Sequence, residues 1–492
     1  MPLSDTASTP TAAPAPAPTR TGPVIALLVV AAFVVILNET TMSVALTDIV
    51  ADLGITVATG QWLTTGFLLT MAVIIPLTGY LLERFTLRTV FFAAMTLFSA
   101  GTLIAALAPG FEFLLAGRIV QASGTAIMMP LLFTTVLNIV PPSHRGRMMG
   151  TITVVIAVAP AIGPTVSGLI LSTLTWHAIF WVMLPISLIA IALGAVWVKN
   201  VTETRPDARF DVLSVPLSAL GFGGLIYGFS AIGESASGHA PVPVAIPLVV
   251  GALALVLFVL RQLHLQKTDS ALLDLRTFQT RAFSLAVVLV VVVFAALFGS
   301  IVLLPIYLQQ VLGLDVLGIG LMLLPGGILM GAMAPFVGNA FDRVGPTPLV
   351  IPGMIIAAAA LWGMTLFDAN TGVPFVIAVH LALNLGLGLT FTPLLTSALG
   401  SLPRRYYPYG SATVGTLQQV AGAAGTALFV TIMTVTTAAG LADGHTEVLA
   451  KAGGVHAAFL VGAIVASAAV VLALFVRKPA EGSADEGAPL AH

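Results

Sequence analysis

Fourteen runs of roughly 20 apolar residues, parted by short polar loops, divide this 492-residue chain almost from end to end. About 20 such residues are what a helix needs to cross the hydrocarbon core of a bilayer. The runs fall near 24–46, 60–81, 89–108, 113–138, 149–171, 178–197, 212–233, 242–262, 283–308, 316–338, 348–367, 373–399, 411–436 and 455–476. Hydrophobic residues make up 58% of the chain and charged residues 8%, against roughly 25% charged in soluble domains. A water-soluble globule cannot bury that much apolar surface. The sequence therefore specifies an all-α integral membrane protein with 14 transmembrane helices.

The basic residues orient these helices. With both termini cytoplasmic, inside segments hold Arg20, Arg84, Arg88, Arg145, Arg147, Lys199, Arg205, Arg209, Arg261, Lys267, Arg276, Arg281, Arg343, Arg404, Arg405, Arg477 and Lys478. Outside loops hold Lys451 alone, and Arg118 falls inside a helix. Outside loops carry Asp48, Asp52, Glu112, Glu234, Asp315, Asp368, Asp443 and Glu447 instead. A wrong helix count would scramble this asymmetry, which follows the positive-inside rule. The longer inside loops, 198–211 and 263–281, flank the seventh and eighth helices. The expected plan is thus 6 + 2 + 6: a disordered Pro- and Ala-rich tail at 1–22, a six-helix bundle at 23–198, a linker with two extra helices at 199–281, a second bundle at 282–478 and a polar tail at 479–492.

A repeated loop supports that division. Gly79–Arg88 reads GYLLERFTLR and Gly338–Pro346 reads GNAFDRVGP. Each sets an acid-arginine pair four and five residues after a glycine, Glu83-Arg84 in one copy and Asp342-Arg343 in the other. Each follows the second helix of a six-helix set. Two equivalent loops imply two equivalent halves, the parallel-repeat plan of one transporter class. The acid is suited to cap a helix N-terminus and the arginine to pair with a neighbouring helix, which together would make a cytoplasmic latch.

In these loops the sequence resembles the major facilitator superfamily, with Glu83 where that family's first motif usually has Asp, and Thr86 where it has Gly. Arg118–Ala126, RIVQASGTA, resembles the family's RxxQGxG segment. Gly150, Ala159, Pro160, Gly163, Pro164, Ser167 and Gly168 resemble its antiporter motif. Leu37–Leu46 and Gly410–Leu428 are similar to the fourteen-helix branch of drug:proton antiporters. The resemblance implies a central cavity between two bundles, alternating access, and proton-driven export of small, mostly amphipathic compounds from a bacterial plasma membrane. The implied partners are small-molecule substrates, protons and the lipid bilayer. A monomer is expected, with no cofactor beyond the proton gradient.

Glu39 is the acid that the span count places deep inside a membrane segment. A carboxylate there costs on the order of 2–4 kcal/mol and marks a functional site by default. Arg118 lies at a similar depth: both fall roughly 10 Å below the outer boundary at 1.5 Å per residue. These two are each other's best candidate partners, by direct or water-bridged contact, with Glu39 as proton carrier. Family members often carry an acid one position earlier, where this chain has Asn38. Ala159, Gly163 and Ser167 line one helix face and favour close packing, and Pro160 and Pro164 remove two backbone donors. Asn38, Gln121, His380, Asn384 and Gln418 are candidate cavity residues. A histidine such as His380 is able to titrate near neutral pH, although hydrogen-bonded structure is the commoner use.

Enzymatic readings find little support. There is no Walker loop, no metal-ligand spacing and no nucleophile-base-acid set at one depth. Cysteine is absent, excluding disulfides, thiolate metal sites and cysteine nucleophiles. No basic patch interleaved with aromatics suggests nucleic-acid binding. Two other readings stand beside multidrug export: a dedicated exporter of one metabolite, antibiotic or lipid, and a receptor or scaffold that has lost transport.

Overall fold

The computed structural model describes residues 22–200, 204–206, 210–236 and 243–477. The expected tails lie outside these residues, except that Gly22 already opens the first helix. The described residues form α1 (Gly22–Asp52), α2 (Val57–Arg84), α3 (Leu87–Ala106), α4 (Phe111–Ile139), α5 (Arg145–Leu171), α6 (His177–Trp197), α7 (Ser214–Ser218), α8 (Gly224–Ala236), α9 (Ala245–Leu265), α10 (Arg281–Gln310), α11 (Val316–Val344), α12 (Thr347–Met364), α13 (Val373–Gly400), α14 (Tyr407–Ala442) and α15 (Glu447–Ala473). A π-helical turn, Ala219–Gly223, joins α7 to α8. That segment counts as one span, so 14 helices are long and apolar enough to cross a membrane.

Helices begin and end where local chemistry directs. Thr56, Thr86 and Thr446 cap α2, α3 and α15 through their hydroxyls, and Asp315 caps α11 through its carboxylate. Several helices extend well beyond the expected apolar runs; α14 spans 36 residues. Hydropathy reads the lipid-matched stretch, whereas hydrogen bonding carries a helix on until a cap or glycine stops it.

Two helix pairs repeat one packing device. On α3 and α4, a Cβ added to Gly101 would lie 2.6 Å from the Gly117 carbonyl oxygen, and one on Gly117 would lie 2.9 Å from that of Gly101. On α12 and α13, Gly353 and Gly386 face each other's carbonyl oxygens at 2.9 and 2.7 Å in the same sense. Close backbone approach through small residues is how helices gain contact in lipid, where no hydrophobic force drives them together.

α2 packs on α14, and α5 on α11 and α13, which joins the first six helices to the last six. The intervening α7–α9 segment lies over the α2/α14 side. There, buried Ala72 and Tyr80 of α2, Phe222, Ile226 of α8, Phe258 of α9 and Ala412 of α14 share one apolar cluster with Leu272 and Leu273.

Candidate functional site

Arg118 is 1% exposed, and helices on three sides hold it. From α4, Gln121 Oε1 accepts from Arg118 Nη1 at 2.7 Å. From α1, Asn38 Oδ1 accepts from the same nitrogen at 3.1 Å. From α2, the Phe67 ring lies under the guanidinium with its centroid 4.1 Å from Cζ, a cation–π contact in a desolvated setting. Gln121 Nε2 in turn donates to Thr102 Oγ1 at 2.8 Å, and Thr102 donates to the Phe98 carbonyl at 2.7 Å. This directed chain of donors ends on the backbone of α3. The guanidinium is thus fixed by all of α1 to α4.

Glu39 follows Asn38 on α1 and lies within electrostatic reach of Arg118. It is partly buried and makes no ion pair or hydrogen bond among the described residues. The sequence brought Glu39 and Arg118 to one depth; the structure brings them to one neighbourhood but gives the direct contact to Asn38. Two buried donors there, Asn38 Nδ2 and Arg118 Nε, have no protein partner. Polar atoms in this position ordinarily hold water.

The small residues of α5 pack against α1 at Thr40, the residue after this acid. Ala159, Gly163 and Ser167 are buried, and a Cβ on Gly163 would fall 2.1 Å from Thr40 Oγ1. Thr40 Oγ1 also reaches the Ala159 carbonyl at 3.5 Å. Gly150 faces away, toward α11, where its added Cβ would lie 2.4 Å from the Ala334 carbonyl oxygen. Gly168 has open space around it. The motif residues therefore divide between two neighbours. Pro160 and Pro164 lie inside α5, which stays helical through both.

The α5/α11 seam shows how far the halves are apart. At the arginine-rich end, Gly146 and Gly338 meet backbone to backbone, followed by Gly150 with Ala334, Val158 with Gly331 and Ala161 with Gly327. The same antiparallel register would next bring Gly168 opposite Gly320, and neither has an atom within 4 Å of an added Cβ. The seam is in close contact at the arginine-rich end, and that contact does not extend to Gly168 and Gly320 at the acidic end. Hydroxyl pairs join the halves elsewhere: Thr134 of α4 donates to Ser411 of α14 at 3.2 Å and Thr392 of α13 to Thr153 of α5 at 2.8 Å.

The two repeated loops sit at that closed end. Asp342 accepts from the backbone N–H of Gly146 at 2.7 Å and of Arg147 at 2.8 Å, capping α5 across the seam. Glu83 caps no helix. It accepts from the Tyr409 hydroxyl of α14 and from Arg205 at 2.8 Å. The arginines also depart from the sequence expectation: Arg343 is exposed without an ion pair among the described residues, and Arg84 donates to the Pro206 carbonyl.

Several residues in this region carry no sequence motif. Arg145 is buried and donates to the carbonyls of Leu137 at 2.8 Å and Val140 at 3.3 Å, closing the C-terminus of α4. Gln262 Oε1 accepts from the Leu272 and Leu273 N–H groups. Asp274 and Asp269 both pair with Arg276. The hydrogen bond from Arg276 holds the Asp269 carboxyl below the usual carboxylate range, and the bond to Asp274 raises the Arg276 guanidinium. With Glu83, Arg205 and Tyr409 they line a cavity of about 250 Å³. Only an adjacent acid-x-arginine spacing, Asp274 and Arg276, hints at this from sequence.

His380 and Asn384 form a separate pair on α13. The His380 ring meets the Leu323 carbonyl of α11 at 3.3 Å, and Asn384 Nδ2 donates to the His380 carbonyl at 2.9 Å. Both crowd Gly326, so His380 serves the α11/α13 packing in this arrangement. Gln419 reaches Met71 Sδ at 3.5 Å, whereas Gln418 Nε2 is buried without a partner.

A family model described as Major Facilitator Superfamily matches residues 28–426. The chain belongs to the major facilitator superfamily. A lincomycin resistance protein, LmrB, of Listeria monocytogenes is 45% identical over 463 residues, covering 93% of this chain and 97% of that protein. A multidrug resistance protein B homolog of Mycobacterium tuberculosis is 32% identical, covering 84% of this chain and 75% of its own length. The human organic anion transporter MFSD10 superposes with a TM-score of 0.64 over 93% of this chain and 99% of its own, at 14% identity, which speaks to the fold alone. The protein is thus a superfamily transporter of the efflux branch and not an enzyme, a multi-pass protein of the cell membrane.

Proposed function

We propose that this transporter exports small amphipathic compounds in exchange for protons, with Glu39 carrying the proton and Arg118 setting its electrostatic surroundings. The observation that carries the reading is an intramembrane carboxylate beside a guanidinium held through Nη1 and the Phe67 ring, with no direct bond between them. A carboxylate locked to arginine by direct hydrogen bonds holds its ionised form strongly. One that feels only the arginine's field is free to load and release a proton as water access changes.

Orientation follows from charge. Reading the arginine-rich end as cytoplasmic, the closely packed end of the seam faces the cytoplasm and the end without such contacts faces outward. Glu39 then lies on the side from which protons enter. Reversal of the seam would expose Glu39 inward and admit substrate, an alternating-access cycle. The names of the relatives support export of antibiotics, lincomycin among them.

The test is proton flux in liposomes carrying the purified protein. In Glu39→Gln, substrate-driven proton movement should vanish while substrate binding persists. Undiminished coupling would remove Glu39 from the role. A narrower exporter of one compound shares this motor, and the full-length match to proteins named for a single drug favours keeping it in view. Efflux of a panel of unrelated dyes and antibiotics separates the two.

A further inference from the structure

The two seams between the halves differ in what covers them. On one side, α8 lies along both α2 and α14. Phe222, Ile226 and Phe258 of the extra helices are buried against Ala72 and Ala412. Lower on that side, the segment after α9 closes the gap: Leu272 and Leu273 are buried, and the Leu272 carbonyl lies 3.5 Å from where a Gly79 Cβ would be. Arg205 and Tyr409 then meet on Glu83. This seam is roofed from its middle to the arginine-rich end.

The α5/α11 seam has no such roof among the described residues. Its contacts are backbone approaches through Gly146, Gly150 and Gly338 and, further along, the small Ala161 and Val158 side chains seated on Gly327 and Gly331, so only small groups cross it. Beside it, Ile328 of α11, next to Gly327, is 50% exposed, facing outward where lipid lies. Its polar fastening at the arginine-rich end is the Asp342 cap on α5.

We propose that substrate enters this transporter sideways from the bilayer, through the α5/α11 seam alone, when the arginine-rich end opens. The inference rests on the export reading above. Opening exposes a gap on each side of a two-bundle transporter, but α7–α9 and the segment after them stand across one of the two. An amphipathic compound dissolved in the cytoplasmic leaflet then meets a single entrance. It is flanked by Ile328, and its walls are small residues that leave room for a broad range of shapes. The extra helices thereby make access one-sided, which gives them a role beyond spacing the halves.

The experiment uses the full chain in proteoliposomes, energised by a proton gradient, with a lipophilic cationic dye bearing a photoactivatable diazirine. Labelled peptides are mapped by mass spectrometry, and labelling that excess unlabelled dye suppresses is counted. Transit should label the α5/α11 seam around Val158 and Gly331 several-fold more than the roofed seam around Ala72, Phe222 and Ala412. Equal labelling of the two seams overturns the proposal, and so does entry that leaves both seams unlabelled while the dye is still transported. Failure of the energised protein to move the dye, or any member of a wider panel, takes down the export reading itself and this inference with it.

Discussion

The two copies of the latch loop solve the same problem with different chemistry. The second copy ends α11 with Gly345 at φ +79°, a left-handed turn that glycine adopts without strain. The first copy has Thr86 at the corresponding place, with φ −67° and ψ 152°, and uses its hydroxyl to cap α3 instead. Across the seam the targets differ too. α5 begins with Arg145, Gly146 and Arg147, and the bare Gly146 lets Asp342 reach the first backbone N–H groups. α14 begins among tyrosines, and Tyr406 and Tyr409 line one cavity with Glu83. The Tyr409 ring already lies 3.0 Å from where a Gly79 Cβ would be. A longer acid, Glu83, meets the tyrosine hydroxyl rather than the helix end. One latch is a helix cap; the other is a side-chain bond tied to the linker through Arg205.

The sharpest way to break the comparison is at the flush contact. In Gly338→Val the new Cβ would fall 2.2 Å from the Gly146 carbonyl oxygen. Backbone gives little, and overpacking of this kind costs about 1–3 kcal/mol. Efflux should fall to background while the corresponding change at open Gly320 leaves it near normal; transport assays on both, with expression checked, decide it.

The next effect is Tyr409→Phe, which strips a buried carboxylate of its hydroxyl donor and should cost about 1–3 kcal/mol of the closed arrangement. Asp342→Ala removes a helix cap across the seam and should cost about 0.5–2 kcal/mol. Because the chain has no cysteine, paired cysteines at exposed Arg147 and Asn339 can report closure by cross-linking in each variant. Equal losses would mean that the two latches are energetically equivalent despite their chemistry.

Smaller still is Arg205→Ala. Its side chain is 58% exposed in the pair with Glu83, so the loss should stay below about 1 kcal/mol and shrink further in high salt. A cross-linking defect as large as that of Tyr409→Phe would show that the linker, not α14, holds the first latch.

The smallest expected effect concerns pH. Hydrogen bonding from Arg261 holds the Asp211 carboxyl, at the mouth of α7, below the usual carboxylate range. Its folded value is depressed, so its stabilisation is fully present above the ordinary carboxylate value of about 3.9 and fades as pH falls through the folded one. Asp211→Asn should therefore lower the melting temperature by a constant amount from pH 5 to 8. A penalty that grows across that window would place the controlling titration elsewhere.

The number of membrane helices was written in the apolar runs, because crossing hydrocarbon demands a fixed length of apolar chain with its backbone bonded internally. The reading of two equivalent halves came from two loops, and Glu39 and Arg118 stood out because charge is rare at that depth. The sequence could not place Asn38 rather than Glu39 on the guanidinium. Neighbouring residues on a helix point about 100° apart, and which of them meets α4 depends on how α1 is rotated in the bundle. The same holds for Glu83 and Asp342, which look alike in sequence. Their partners come from loops and helix starts hundreds of residues away, at spacings no local pattern records. Helix number and the cost of a buried charge are properties of a segment and its solvent, so the chain determined them by itself. Partner choice is a property of packing, where a bare Gly146 in one seam and a tyrosine in the other decide what an acid is able to touch.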